Sequence, residues 1–221
     1  MSFNNDPIEP VRRYYDGKIE QHGATASGVD WKDENSQSVR FEQLALVMGN
    51  DCDCSLADIG CGYGAFATFL RKRGWRGSYE GVDISERMIE AARKRFSADK
   101  QVRLTVGQKA TMPADFVVAS GIFNVKMKTG IEEWESYVLQ TIDSLVASAR
   151  KGVAFNFLTS WSDVPFMRED LYYAAPERIL EYCAARHSRW LELSQDYGLF
   201  EFTVRLRLDR AMPRLRIRAK Q

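Results

Sequence analysis

The 221-residue chain lacks several features that would assign it to a class at once. No apolar run approaches the ~18 residues that a membrane-spanning helix needs, so we expect no membrane partner. The first residues, "MSFNNDPIEP", contain neither the basic region nor the apolar core of a secretory signal, which favours a cytoplasmic protein. In that compartment the four cysteines are expected to be thiols.

Metal-binding patterns are also missing. The chain has only two histidines, and neither lies near the cluster formed by Cys52, Cys54 and Cys61. The spacing of these cysteines is not the C-x-x-C that is typical of zinc sites. We therefore predict no metal ion.

Neither sign of charge dominates, since 31 Lys and Arg face 30 Asp and Glu. Such a balance creates no overall field toward nucleic acid or an anionic membrane. The exception is the C-terminal "RLRLDRAMPRLRIRAKQ", which holds seven basic residues and one acidic residue. An RNA-binding tail and an ordinary solvated chain end are both compatible with it. Because this stretch has no aromatic residue to stack on bases, the second interpretation is favoured for the basic tail, 210–221, and nucleic acid is not the expected partner.

From about residue 55, short apolar runs alternate with amphipathic segments. Strands are predicted at 55–59, 78–84, 102–106, 115–120 and 152–158, followed by two strands that flank Tyr197-Gly198. Helices are predicted at 11–23, 35–49, 65–74, 86–96, 131–148 and 176–186. The alternation predicts an α/β fold with a doubly wound, mostly parallel seven-stranded sheet and a C-terminal antiparallel hairpin. In such sheets, ligands bind beyond the carboxyl ends of the strands.

A glycine-rich loop, "DIGCGYGAF", follows the first predicted strand. It is not a P-loop, which requires G-x-x-x-x-G-K-[ST]. It also departs from the dinucleotide fingerprint G-x-G-x-x-G, because the third glycine comes one residue too early. Asp58, two residues before Gly60, would repel a pyrophosphate, whereas a cationic or zwitterionic ligand removes that conflict. The loop therefore predicts a ligand without phosphate.

These residues resemble the motifs of the class I S-adenosylmethionine-dependent methyltransferases. The family's first motif, acid-x-Gly-x-Gly-x-Gly, matches residues 58–64, and its second, an acidic residue that ends the next strand, matches Asp83 in "GVDIS". The resemblance covers about residues 50–209. It implies S-adenosylmethionine as the cofactor and residues 1–49 as an N-terminal helical lid on the substrate side.

The resemblance also implies a set of residues around the cofactor. The glycines would shape the loop around the methionine part, Asp58 would order the loop, and Asp83 would accept both ribose hydroxyls. Met88 would contact the adenine, although it could equally be a core residue. Arg40 would hold the cofactor's carboxylate, unless it is simply a solvated arginine on a helix face. The implied cofactor-binding residues are Arg40, Asp58, Gly60, Gly62, Tyr63, Gly64, Asp83, Ile84, Met88, Gln108, Ala119 and Ser120.

The sequence indicates the residues that would contact the methyl acceptor less specifically than those around the cofactor. The "SGIFN" after the fourth strand is not the [D/N]PP[Y/F] motif of nucleic-acid base methylation, which counts against that activity. His22, at the end of the first helix, is a candidate general base or acceptor-orienting residue, or else it caps the helix's last carbonyls. Candidate acceptor contacts in the lid and near the strand ends are Tyr14, Tyr15, Trp31, Asn124, Asn156, Trp161, Tyr172 and Tyr173.

The resemblance thus implies methyl transfer by in-line displacement to an O or N atom of a small molecule of the metabolite, sugar or natural-product type. Two alternatives share the same fold. One is a methyltransferase that acts on RNA or protein, and the other is a non-catalytic protein that binds S-adenosylmethionine. A nicotinamide oxidoreductase is disfavoured by the position of the third glycine.

Overall fold

The computed structural model describes residues 7–210, which form one eight-stranded sheet with helices on both faces. The strand order is β3-β2-β1-β4-β5-β8-β7, and the short β6 pairs with the end of β5. The strands are β1 Leu56–Ile59, β2 Tyr79–Asp83, β3 Val102–Val106, β4 Ala114–Ala119, β5 Ala149–Thr159, β6 Tyr173–Ala174, β7 Leu191–Ser194 and β8 Glu201–Arg207. The predicted α/β sheet is confirmed, including the antiparallel pair β7 and β8 at the C-terminal end.

Six α-helices surround this sheet within the described residues. They are α1 Ile8–His22, α2 Glu34–Ala45, α3 Ala65–Lys72, α4 Glu86–Arg95, α5 Ile131–Ala147 and α6 Pro176–Arg186. Three short 3₁₀ turns complete the pattern at Ser27–Val29, Leu46–Met48 and Val164–Phe166. No helix between residues 7 and 210 is long and apolar enough to cross a membrane.

The order of the strands reverses between β1 and β4. In the register, Ile59 of β1 stands beside Val82 of β2 on one side and Ala119 of β4 on the other. The chain moves outward from β1 through β2 to β3 and then returns to the opposite side of β1. The carboxyl ends of β1, β2 and β4 therefore meet at a topological switch point, where sheets of this kind bind their ligands.

Two apolar layers hold the helices on the sheet. On one face, Trp134 and Ile142 of α5 pack with Phe155 and Phe157 of β5. On the other face, the buried side chains of α2, α3 and α4 pack against β1, β2 and β4. Burial on both faces explains why the parallel strands appear in the sequence as continuous apolar runs.

The N-terminal helix lies across the carboxyl end of the sheet. The Ser85 hydroxyl, at the start of α4, donates to Asp16 of α1 at 2.5 Å. One turn further along α1, Glu20 pairs with Arg87 of α4 at 2.6 Å. These two contacts fix α1 over the edge at which β1, β2 and β4 end.

Part of the basic C-terminal stretch belongs to the sheet. Arg205 of β8 is buried and donates to Ser194 and Glu192 of β7. Arg207 pairs with Asp209 at 2.6 Å. These two arginines therefore have structural partners, and the predicted tail beyond Arg210 lies outside the described residues.

Candidate active site

A cavity lies at the switch point, between the glycine loop and the N-terminal segment. It encloses about 950 Å³ of empty space, open solvent included. Its walls come from the ends of β1, β2 and β4, from α1 and α2, and from the turn that precedes α2. Most of the lining is apolar, and a few polar groups converge on it. This combination is typical of a small-ligand site.

The glycine loop has a backbone that other residues would not adopt without strain. Gly60, Gly62 and Gly64 have φ angles of 76°, 54° and 80°. A Cβ on Gly60 would lie 2.2 Å from Cγ2 of Ile122, and one on Gly64 would lie 2.5 Å from the Phe96 ring. The alternation of glycines therefore brings the loop close to its neighbours and leads the backbone directly into α3.

Asp83 connects the glycine loop to α4. One carboxylate oxygen accepts the N–H of Gly62 and the other accepts the N–H of Ser85, both at 2.8 Å. The side chain is buried and lines the cavity. A carboxylate oxygen has two lone pairs, so each one can accept a further hydrogen bond from a ligand.

Asp58 supplies a second buried carboxylate at the end of β1, where it accepts the Tyr79 hydroxyl at 2.6 Å. Burial raises the pKa of Asp58 to about 7 and that of Asp83 to about 6, although the hydrogen bonds that each one accepts lower the pKa in part. Among the described residues, no lysine, arginine or histidine lines the cavity. The cavity therefore favours a ligand with positive charge.

The structure brings most of the implied cofactor residues to this cavity. Those that line it are Asp58, Gly60, Gly62, Asp83, Ile84, Met88, Gln108 and Ser120. The other four do not, namely Arg40, which is described below, and three more residues. Tyr63 is buried and donates its hydroxyl to Gln37 at 3.3 Å, Gly64 precedes the first residue of α3, and Ala119 is buried within β4.

Arg40 is not at the position implied by the resemblance. Its Nε lies 2.8 and 3.0 Å from the two carboxylate oxygens of Glu201, and Nη1 donates to the Ser36 carbonyl at 2.8 Å. Its guanidinium stacks on the Trp31 ring at 3.9 Å. Arg40 is therefore neither a solvated arginine nor part of the cavity wall, because a buried carboxylate takes its donors.

His22 is likewise outside the cavity, exposed at the end of α1. The helix end is closed by the N–H of Gly23, which donates to the Ile19 carbonyl at 2.8 Å. Among residues 7–210, the His22 side chain makes no contact that supports either role, general base or cap. The histidine is too far along α1 because the cavity meets the helix at Ile8, Val11 and Tyr15.

Two of the candidate acceptor contacts, Tyr15 and Trp31, line the cavity. The two asparagines do not, because the backbone uses their amides. Asn124 accepts the N–H of Leu158 at 3.2 Å, and Asn156 accepts the N–H of Gly121 at 2.7 Å.

The remaining aromatic candidates have structural partners or face solvent. Tyr14 donates to Asp30 at 2.6 Å, and Tyr172 is buried with its hydroxyl 3.5 Å from Glu135. Tyr173 accepts the N–H of Arg168 at 3.1 Å. Trp161 is 65% exposed and does not line the cavity.

Other lining residues were missed by the sequence analysis. Gln37 of α2 is one, and Tyr137 and Thr141 of α5 are others. The two α5 residues are four positions apart and so share a helix face, a spacing that could have pointed to them. Gln37 has no such signal, since a single glutamine in a polar helix start is typical of a surface.

Comparisons with known proteins agree with this geometry. The family described as "Methyltransferase domain" matches residues 56–145. The Mycobacterium tuberculosis protein Rv1506c, whose name assigns it provisionally to the methyltransferases, is 43% identical over 153 residues. That alignment covers 69% of this chain and 92% of the relative.

Solved structures show the same fold. Magnesium protoporphyrin IX methyltransferase of Synechocystis PCC 6803, with bound S-adenosylmethionine, superposes with a TM-score of 0.63 at 16% identity and covers 94% of this chain and 99% of its own. Human N-acetylserotonin methyltransferase, also with S-adenosylmethionine, gives 0.64 at 13% identity, with 92% and 59% covered. The chain belongs to the class I S-adenosylmethionine-dependent methyltransferases.

The two buried carboxylates predict how cofactor affinity depends on pH. A cationic cofactor favours the ionised forms of Asp58 and Asp83, whose pKa values are raised to about 7 and 6. Binding below pH 7 must therefore release protons, and we expect the Kd of S-adenosylmethionine to rise steadily from pH 8 to pH 5.5. Calorimetry at pH 6.5 in buffers of different ionisation enthalpy measures the protons released.

In the unliganded protein, the same carboxylates make the free energy of unfolding depend on pH in the opposite direction. Because their folded-state pKa values are raised, their contribution to stability increases as the pH falls from about 7 toward 4.

A flat Kd between pH 8 and 5.5, without proton release, would contradict the assignment of both carboxylates to the cofactor site.

Proposed function

We propose that this chain is a cytoplasmic enzyme that transfers a methyl group from S-adenosylmethionine to an O or N atom of a small molecule. The observation that carries the proposal is the enclosure of the cavity by the N-terminal segment. Cγ1 of Val29 lies 3.0 Å from the place that a Cβ on Gly62 would take, and the Trp31 ring lies 2.6 Å from that of Gly121. A space covered so closely suits a small acceptor better than a macromolecule.

The residues of the cavity fit the cofactor. Asp83 would accept the ribose hydroxyls, and Ile84, Met88 and Gln108 would surround the adenine. Ser120 offers a buried hydroxyl oxygen that has no hydrogen-bond partner among residues 7–210. When bound, the cofactor supplies an electrophilic methyl group on a sulfonium. The two carboxylates of the cavity would compensate that positive charge.

The chain's own contribution to the reaction is orientation and the exclusion of water. Tyr15 lines the cavity, and burial together with nearby Asp30 raises its pKa, so its hydroxyl stays protonated and can orient the acceptor by a hydrogen bond but cannot serve as a phenolate base. No histidine or lysine lines the described cavity, and the proposal assigns its two carboxylates to the cofactor, so we expect the acceptor atom to present a free lone pair itself. A neutral amine or an acidic hydroxyl meets that requirement.

The alternatives have less support. An RNA acceptor would require cations near the cavity, but Arg40, Arg205 and Arg207 are occupied by Glu201, Glu192 and Asp209. Two proteins of the same fold are named for small acceptors, magnesium protoporphyrin IX and N-acetylserotonin, which favours the small-molecule proposal. All four cysteines are free, as expected for a cytoplasmic protein.

A transfer experiment tests the proposal. The protein is incubated with methyl-tritiated S-adenosylmethionine and an extract of the source cells. Ultrafiltration isolates the labelled small molecules, and nuclease and protease treatment shows whether the retained label is in RNA or in protein. We expect protein-dependent label in the small-molecule fraction, lost in Asp83→Asn and kept in Asp53→Asn, whose carboxylate is exposed and pairs with Arg76. Label in RNA or protein would contradict the proposal, and cofactor binding without any transfer would favour the non-catalytic alternative.

A further inference from the structure

Three neutral donor groups line the same cavity, and none of them has a partner in the described structure. We propose that they bind the carboxylate of the cofactor's methionine part: the Gln37 amide, the Ser120 hydroxyl and the first-turn N–H groups of α3. No basic residue takes part. This inference rests on the proposed function, because it assumes that the cavity holds S-adenosylmethionine.

Gln37 is the central residue of this site. It is only 7% exposed and lines the cavity, and its carbonyl oxygen accepts the Tyr63 hydroxyl at 3.3 Å. Within residues 7–210, its Nε2 group has no hydrogen-bond partner. Because Gln37 lines the cavity and its Nε2 has no acceptor among these residues, a ligand anion can accept a hydrogen bond from it.

Ser120 is a second donor that lines the cavity. Its Oγ is buried without a partner among the described residues, although the next residue is fixed by the bond from the Gly121 N–H to Asn156. The turn is thus ordered by its backbone and leaves the hydroxyl free. A free hydroxyl in a rigid turn is a ready donor to an anion.

The start of α3 adds backbone donors. Ala65 and Phe66, the first two residues of this helix, line the cavity, and no side chain caps the helix. The first N–H groups of a helix have no intrahelical acceptor, and the helix dipole makes this end positive. Such an end stabilises a carboxylate without a cation.

Arg40 is the one basic residue on α2, a single turn beyond Gln37. Each of its three guanidinium nitrogens donates to Glu201 or to the Ser36 carbonyl. The positive charge that would ordinarily bind a carboxylate is therefore used inside the protein. Neutral dipoles remain to bind the anionic end of the ligand.

A comparison of two ligands measures the contribution of the cofactor's amino-acid part to binding. S-adenosylhomocysteine has the amino-acid part, whereas 5′-methylthioadenosine keeps the adenosine and the thioether but lacks it. Calorimetric titration gives the Kd of each ligand for wild type and for Gln37→Glu. This variant keeps the side-chain shape and the acceptor for Tyr63 but replaces the amide donor by a carboxylate.

We expect Gln37→Glu to raise the Kd of S-adenosylhomocysteine about tenfold or more and to leave that of 5′-methylthioadenosine nearly unchanged. Ser120→Ala should also weaken S-adenosylhomocysteine selectively, with no loss of thermal stability in the unliganded protein, because its hydroxyl makes no bond there. Gln140→Glu, at an exposed position of α5, is the matched control and should behave as wild type.

A double variant tests the competing role of Arg40. Arg40→Met/Glu201→Gln removes the cation and its counter-charge together and should keep the preference for S-adenosylhomocysteine. The inference is overturned if Gln37→Glu keeps the wild-type ratio of the two Kd values, or if the double variant loses it. Wild type that binds neither ligand would instead overturn the proposed function.

Discussion

Asp83→Asn is expected to eliminate measurable binding of the cofactor while the chain remains folded. The asparagine has the same shape, but it replaces one of the two oxygens that accept the N–H groups of Gly62 and Ser85 by a donor. It also removes the charge that would accept the ribose hydroxyls. Each hydrogen bond to a charged group contributes about 1.5–3 kcal/mol. The loss of two raises the Kd by about a hundredfold or more.

Thermal unfolding with S-adenosylhomocysteine measures this effect. At a hundred times its Kd, the ligand stabilises wild type by ~2.7 kcal/mol. For a chain of this size that raises the Tm by about 5–10 °C. Asp83→Asn, with its Kd raised about a hundredfold, should show a shift of at most about 1 °C at the same concentration, and Asp53→Asn should show the full shift. A wild-type shift in Asp83→Asn would place the cofactor away from β2.

Glu201→Gln is expected to cause the largest loss of stability among the substitutions considered. Glu201 is buried beside Arg40 and also accepts the Asn156 amide at 3.2 Å. Burial raises the pKa of Glu201 even though Arg40 and Asn156 lower it in part. Removal of its charge leaves the Arg40 cation buried without a counter-charge, which costs about 3–5 kcal/mol. The Tm should fall by roughly 6–20 °C.

The double variant Arg40→Met/Glu201→Gln is the control for this prediction. It removes both charges, and neutral replacement of a buried ion pair is often tolerated. We expect it to recover most of the Tm lost by Glu201→Gln alone. If the single variant unfolds at the wild-type temperature, the Arg40–Glu201 pair does not stabilise the packing of α2 on β8.

The sheet could be predicted because local patterns determine it. Apolar runs bounded by glycine, and helices with one apolar face, placed the parallel strands β1 to β5 and the terminal pair β7 and β8. The strand that was missed, β6, has only two residues, Tyr173–Ala174. Its position depends on pairing with Leu158 and Thr159 of β5, and no two-residue pattern can indicate such a pairing.

The site residues that could be predicted from the sequence are acidic residues near the carboxyl ends of predicted strands. Asp58 is the last residue but one of β1 and Asp83 is the last residue of β2, and the structure places both in the cavity. The position of Arg40 could not be inferred, because Glu201, the carboxylate that holds it, is 161 residues away in the chain. Gln37 was missed for a related reason, since its burial depends on the glycine loop and on Tyr63.

The central claim is that the cofactor lies at the switch point of the sheet, beneath the N-terminal segment. Hydrogen–deuterium exchange with and without S-adenosylhomocysteine tests this claim most directly, because it reports on the loop and the segment above it at once. The account predicts slower exchange in the glycine loop, at the start of α4, in the first half of α1 and in the Ser27–Val29 turn. Slower exchange confined to regions away from the cavity, such as α6 and β7, or no change with bound ligand, would contradict it.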